Sequence, residues 1–199
     1  MIPIADLAAQ CAPFVAPSTL AALVRVESGG NPLAMWNNST RSMVIPANRA
    51  QAVRYLQSAM AAGQKVDVGI AQVDTENFAS YGLTPQTAFD ACTNLRAGSE
   101  ILRADWQQAF AAGYSGQPAL YHAFEAYNSG RLWGDAAYAN RILGAAGVPV
   151  FLQGGGGLHH AIRRHRFNPF PLIAWPSTKP MPAAQPVPAA QPVSWPILP

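Results

Sequence analysis

Thr19-Leu20-Ala21-Ala22-Leu23-Val24-Arg25-Val26-Glu27-Ser28-Gly29-Gly30-Asn31-Pro32 is the stretch from which the rest of the chain is read. Pro17 and Ser18 precede it as a helix start, with Ser18 placed to cap the first free N–H groups, and Gly29-Gly30 with Pro32 stops it. Leu20, Leu23, Val24 and Glu27 stand at i, i+3, i+4 and i+7, so Glu27 continues an apolar stripe. A carboxylate on a buried face near the negative end of a helix dipole is desolvated and meets unfavourable charge, and both effects raise its pKa. A carboxylic acid still protonated near neutrality is what general-acid cleavage of a glycoside requires. The competing reading of the same residue is an exposed glutamate in a fraying last turn.

Composition narrows the classes. The 199 residues, half of them apolar, suit one domain plus an appendage. The formal charge of +3 is unevenly placed: residues 1–150 hold nine Lys or Arg against ten acids, a net of −1, and Arg163, Arg164, Arg166 and Lys179 supply the remaining positives. A core without a basic surplus is not expected to bind nucleic acid. No apolar run approaches the roughly eighteen residues of a membrane span; the longest candidate, Ile142 to Leu152, contains Gly144, Gly147 and Pro149. Met1-Ile2-Pro3-Ile4-Ala5-Asp6 has neither a basic n-region nor an apolar h-region, so it does not read as a secretory signal. Export is then either unsigned or follows removal of a signal. Cys11 and Cys92 form one disulfide if the compartment is oxidising and are two buried thiols otherwise, and their spacing leaves both open.

Along the chain, Leu7 to Val15 reads as a weak helix and Asn31 to Pro46 as a loop. Trp36 in that loop is either a core side chain or an exposed aromatic of the kind that stacks on sugar rings. Ala47 to Ala62 is a helix started by Pro46. Val66, Val68 and Ile70 alternate with polar residues or Gly as in a short strand, and Asn77 to Pro85 is irregular. Asp90 caps a helix over Ala91 to Ala112, Pro118 starts another that ends at Gly130, and Asp135 caps the last, Ala136 to Ala146. The fold expected is mainly α with at most a small β-hairpin, as one domain over residues 1–150. Residues 151–199 read as a flexible, basic tail: Gly154 to Gly157 break the chain, and ten of eighteen prolines follow residue 167. Pro182 to Val187 is repeated by Pro188 to Val193, a spacer or docking peptide if it is not merely a disordered end. His159, His160 and His165 have no acidic or cysteine company there, so neither a metal nor a cofactor is expected.

Three segments in order, Glu27-Ser28-Gly29-Gly30-Asn31-Pro32, Val68-Gly69-Ile70-Ala71-Gln72-Val73 and Ala126-Tyr127-Asn128-Ser129-Gly130, resemble the catalytic signature of lytic transglycosylases with a goose-type-lysozyme-like fold. Cys11-Ala12-Pro13, Val66-Asp67-Val68-Gly69 and Phe89-Asp90-Ala91-Cys92-Thr93-Asn94-Leu95 make the chain most similar to the VirB1-like group of type IV secretion systems. The likeness covers about residues 7–146. One departure is Gly69-Ile70-Ala71-Gln72, where the family usually has a Gly-Leu-Met-Gln type motif.

The resemblance implies that Glu27 is the sole catalytic carboxylate, acting as acid and then as base on the MurNAc–GlcNAc β-1,4 bond of peptidoglycan to leave a 1,6-anhydro end. It implies that Gln72, Tyr127, Asn128 and, by a looser match, Tyr138 line the substrate cleft, and that Ser28 hydrogen-bonds near the acid or the sugar. It further implies a periplasmic location, where Cys11 and Cys92 would be joined, and secretion-system proteins as partners of the tail. A hydrolytic lysozyme is the rival reading; it would need a second carboxylate or a positioned water, and Asp67 and Asp74 are the candidates. A non-catalytic peptidoglycan-binding assembly module is the other.

Overall fold

The computed structural model describes residues 3–148. The tail assigned to 151–199, its glycines, histidines and proline repeats, and the boundary at 150 all lie outside the described residues.

Helix α1 spans Ile4–Cys11 and α2 spans Pro17–Glu27, so the helix read from the sequence does end on its carboxylate. Its start differs from expectation. Ala16 is the N-cap and Pro17 the first helical residue, and no side chain caps the end. The fixed φ of proline supplies the helical geometry there, and its missing N–H removes one donor that would otherwise need a cap.

The sheet is larger than the hairpin expected. Strands β1 (Met35–Asn37), β2 (Ser42–Val44), β3 (Val66–Val68) and β4 (Val73–Asp74) pair antiparallel in the order β2-β1-β3-β4. Two of them come from Asn31 to Pro46, read above as loop. Three-residue strands are too short to display a period of two, and Asn37 disguises the pattern because it is a fully buried polar residue. Its Nδ2 donates to Tyr55 Oη and Gln64 Oε1, both at 2.8 Å, and its Oδ1 accepts from the N–H groups of Ser39 and Thr40, both at 3.0 Å. With its hydrogen bonds met, the asparagine sits inside at little net cost.

Asn48 caps α3 (Arg49–Ala61), and a 3₁₀ turn (Thr75–Asn77) leads into α4 (Phe78–Tyr81). Asp90 Oδ1 accepts from Thr93 N at 2.8 Å to cap α5 (Ala91–Ala111), as read from the sequence. Helix α6 (Gly116–Ser129) ends at Gly130, and Asp135 caps α7 (Ala136–Ala145). The long α5 packs on α6 and α1, while α7 closes over α2 and α6. Leu20, Leu23 and Val24 of α2 meet Leu95 and Leu102 of α5, Phe124 of α6, Ile142 of α7 and Met35, Val66 and Val68 of the sheet in one core. No helix of the described residues is long and apolar enough to cross a membrane.

Cys11 and Cys92 are joined in a disulfide that ties the end of α1 to the first turn of α5, with Cα atoms 5.2 Å apart. Across a sequence separation of 81, the chain-entropy model assigns such a link about 4 kcal/mol. Thiol labelling of the unreduced, denatured protein should detect no free cysteine at either position, and the Cys11→Ser/Cys92→Ser variant should melt several degrees lower.

Asp105 on α5 is buried, and its Oδ2 has no hydrogen-bond partner among the described residues. Burial pushes its carboxyl up to about 7. A folded-state pKa above the unfolded value means stability is greatest with the group protonated and falls as the pH climbs from about 4 towards 7. The melting temperature of Asp105→Asn should therefore gain on that of the wild type across this window, and a constant difference would contradict the burial argument.

Candidate active site

The site forms where the end of α2, the turn between β3 and β4, and two helices meet. Ser28 is the C-cap of α2, and Gly29 and Gly30 follow with φ of 62° and 88°, turning the chain away immediately after Glu27. Ser28 Oγ donates to the Ile70 carbonyl at 2.7 Å and accepts from Gly30 N at 3.1 Å. Ser28 thus joins the helix end to the Gly69–Gln72 turn, and its hydroxyl bonds to backbone rather than to Glu27.

That turn is held from several sides. Asn94, buried on α5, donates from Nδ2 to the Val68 carbonyl at 2.9 Å and accepts from Ala71 N at 2.8 Å. Gly69 has φ of 83°, and a Cβ there would lie 2.6 Å from Asn94 Nδ2 and 2.7 Å from the Ala88 carbonyl, so no larger residue fits. Tyr127 Oη, from α6, donates to the Ala71 carbonyl at 2.7 Å. It reaches that carbonyl across Gly98 of α5, where a Cβ would come within 2.8 Å of the phenol oxygen. Gln72 occupies left-handed backbone at φ 48°, a conformation that costs roughly 1–2 kcal/mol in a non-glycine residue. Its Nε2 donates to the carbonyls of Ala34 at 3.0 Å and Gly69 at 2.8 Å, which offsets that cost.

Glu27 is half-buried, and Tyr138 of α7, itself buried, donates its Oη proton to Glu27 Oε1. Oε2 accepts no hydrogen bond from the described residues. Burial raises the Glu27 carboxyl to about 7; the Tyr138 bond works against this, the Asp67 charge adds to it, and Arg141 opposes it. The Tyr138 phenol is held far above its ordinary range, first by burial and then by the charge of Glu27, so it remains a donor at every working pH. Arg25 Nη1 donates to the Ala145 carbonyl at 2.8 Å, holding the end of α7 against α2.

Asn128, next to Tyr127 in the chain, is exposed, and its Nδ2 donates to Asp135 Oδ2 at 2.5 Å. Hydrogen bonds thus link Glu27 to Tyr138 and bring Ser28, Gln72 and Tyr127 onto the Gly69–Gln72 turn, while Asn128 is engaged with the cap of α7. Asp67 and Asp74 face each other across β3 and β4, and Asn38 Nδ2 donates to Oδ2 of both, at 3.0 and 3.3 Å. Burial first, and then the neighbouring Asp74, push the Asp67 carboxyl up to about 7, against the Asn38 bond. Sequence reasoning gave no role to Asn94, Gly98, Glu125 or His122. Asn94 carried a faint signal as a polar residue beside the apolar row Ala91, Leu95, Gly98 and Leu102, in which Gly98 reads only as a small member.

A half-buried acid at a helix end, set against a turn held by four side chains and a tyrosine donor, agrees with the comparison of the chain with known families. The Transglycosylase SLT domain matches residues 7–139, and the chain belongs to that family. Within it, the chain is 39% identical over 157 residues to the type IV secretion system protein VirB1 of Brucella abortus, a match covering 74% of this chain and 66% of that one. It is 38% identical over 125 residues to protein VirB1 of Agrobacterium fabrum, covering 63% and 51%, and 34% identical over 164 residues to that of Rhizobium radiobacter, covering 79% and 67%. The matches to the Brucella and Agrobacterium fabrum relatives thus span less than two-thirds of their lengths. No solved structure matches the chain.

The balance of influences on Glu27 is measurable by carbon NMR titration of its carboxyl. Tyr138→Phe removes a donor that favours the carboxylate and should move the pKa above about 7; Asp67→Asn removes a neighbouring negative charge and should move it down. A Glu27 pKa unmoved by both variants would show that neither group acts on it.

Proposed function

We propose that this chain is a peptidoglycan lytic transglycosylase that acts in the periplasm, cleaving the MurNAc–GlcNAc β-1,4 bond and leaving 1,6-anhydro-MurNAc ends. The observation that carries the reading is the state of Glu27: a half-buried carboxyl raised to about 7, fixed through Oε1 by Tyr138. With Oε1 accepting from the tyrosine, the acidic proton resides on Oε2. Protonation of the glycosidic oxygen from Oε2 breaks its bond to the muramyl C1 as positive charge grows on that carbon. The C6 hydroxyl of the same sugar then forms the new bond to C1, and its proton returns to the Glu27 carboxylate. One residue serves both steps because its pKa lies near the working pH, and the nucleophile is already part of the substrate. No cofactor enters the scheme.

The names of the relatives support a place in a type IV secretion system, where local opening of the wall would let an envelope-spanning assembly pass. Secretion-system proteins are then its partners, with the tail as their contact.

A specific observation keeps the hydrolytic reading in view, because the Asp67 charge acts on Glu27 and a second carboxylate is what a lysozyme would use. Mass spectrometry of digested peptidoglycan separates the two: the transglycosylase leaves anhydro ends, while a hydrolase leaves reducing ends heavier by one water. Glu27→Gln should lower release of soluble fragments by about a thousandfold, the scale of lost acid–base catalysis, without lowering the melting temperature. Undiminished release would end the assignment. Binding of peptidoglycan by the wild type without any release would favour the assembly-module reading instead.

A further inference from the structure

The sheet has two different faces. Met35, Val68 and Val73 pair in one row across β1, β3 and β4, and all are buried. The neighbouring row, Met43, Trp36, Asp67 and Asp74, runs across all four strands on the opposite face. Trp36, open in the sequence reading between core and surface, stands in this outer row with 38% of its surface exposed, and Met43 beside it is 68% exposed. Asn38, two residues on from Trp36 and so on the same side, ties Asp67 to Asp74 from above. Asp67 lies three residues before Ile70, whose carbonyl accepts from Ser28 next to Glu27, so the row begins beside the acid.

We propose that Trp36 and Asp67 form a sugar subsite beside Glu27, with the indole as the platform for the apolar face of one pyranose and the Asp67 carboxyl as acceptor for a hydroxyl or amide proton of that sugar. The proposal rests on the reading of the cleft as glycan-binding and adds where the strand lies on the protein. Several features favour a saccharide over another occupant. An indole next to a carboxyl matches a ring with an apolar face and polar edges. Adjacent strands stand about 4.8 Å apart, on the scale of one sugar ring, so stacking on Trp36 and hydrogen bonding to Asp67 fall on the same residue of the glycan. Asp67 is also held in place: the Asn38 amide and Asp74 fix it from one side, so little side-chain freedom is lost when it accepts a bond. A peptide or lipid partner would instead want a wider apolar patch, and two carboxyls at its centre would repel an anionic surface.

The test uses the full chain with Glu27→Gln, which binds without cleaving, and tetra-N-acetylchitotetraose as the probe, titrated calorimetrically. Adding Trp36→Ala should weaken binding by on the order of tenfold, and Trp36→Phe should restore most of it. In the otherwise native enzyme, Trp36→Ala should raise KM for isolated peptidoglycan with kcat little changed, a split that a general loss of structure would not give. Equal affinity and equal KM with and without the indole would overturn the subsite, and so would failure of the Glu27→Gln protein to bind the probe. Binding through Trp36 by a protein that makes no anhydro ends would instead refute the proposed reaction and leave the subsite standing.

Discussion

The turn from Val68 to Ala71 presents four consecutive carbonyls beside Glu27 and Ser28, and a side chain donates to every one of them. Asn94 takes Val68, Gln72 takes Gly69, Ser28 takes Ile70 and Tyr127 takes Ala71. An unmet buried carbonyl would cost about 1–3 kcal/mol, so each bond fixes the turn as well as stabilising it. Three of the donors arrive from different helices: the end of α2, α5 and α6. The turn is therefore a junction at which those elements are held in register. Close approach is essential to this, which is why Gly69 and Gly98 stand where any Cβ would collide with Asn94 or with the Tyr127 oxygen.

Much of the helical frame was legible because helices write a local pattern. The α2 stripe and its double-glycine stop located Glu27, and Asp90 and Asp135 were recognisable as caps because the residue that caps is adjacent to the helix it caps. The sheet was legible only at β3. Strands β1 and β2 are three residues each, and the buried Asn37 between exposed neighbours reads as loop until Tyr55 and Gln64 are seen to satisfy it. The site shows the same divide. Residue types along the three motifs pointed to the site, yet the bonds of Ser28 and Tyr127 to backbone carbonyls of the turn are contacts 42 and 56 residues apart in sequence. No local period records such a contact.

The electrostatics of Glu27 follow from a conflict in what is asked of it. A donor is needed to orient the carboxyl, but a donor to an oxygen favours the ionised form and lowers the pKa. Burial is the larger influence and exceeds the effect of Tyr138, and the Asp67 charge adds to burial, leaving a carboxyl at about 7 that is oriented and still protonated in substantial part near neutrality. An exposed glutamate bonded to a tyrosine would be oriented but ionised. The position at the end of α2, under α7, resolves the conflict.

Tyr138 in turn depends on groups well away from the cleft. Its backbone N–H is capped by Asp135 Oδ1 at 3.3 Å, and Asp135 N donates to Glu125 Oε1 at 3.1 Å. Glu125 is buried with His122 Nδ1 2.7 Å from its other oxygen, so the base of α7 is anchored in the interior of α6. Asn128 joins the same assembly through Asp135 Oδ2. The Ala-Tyr-Asn-Ser-Gly segment therefore has two structural tasks in two consecutive residues: Tyr127 reaches the β3–β4 turn, and Asn128 steadies the cap from which Tyr138 springs. A change at Asn128 would act on Glu27 through the placement of α7, because the aspartate it holds sets where the tyrosine donor stands.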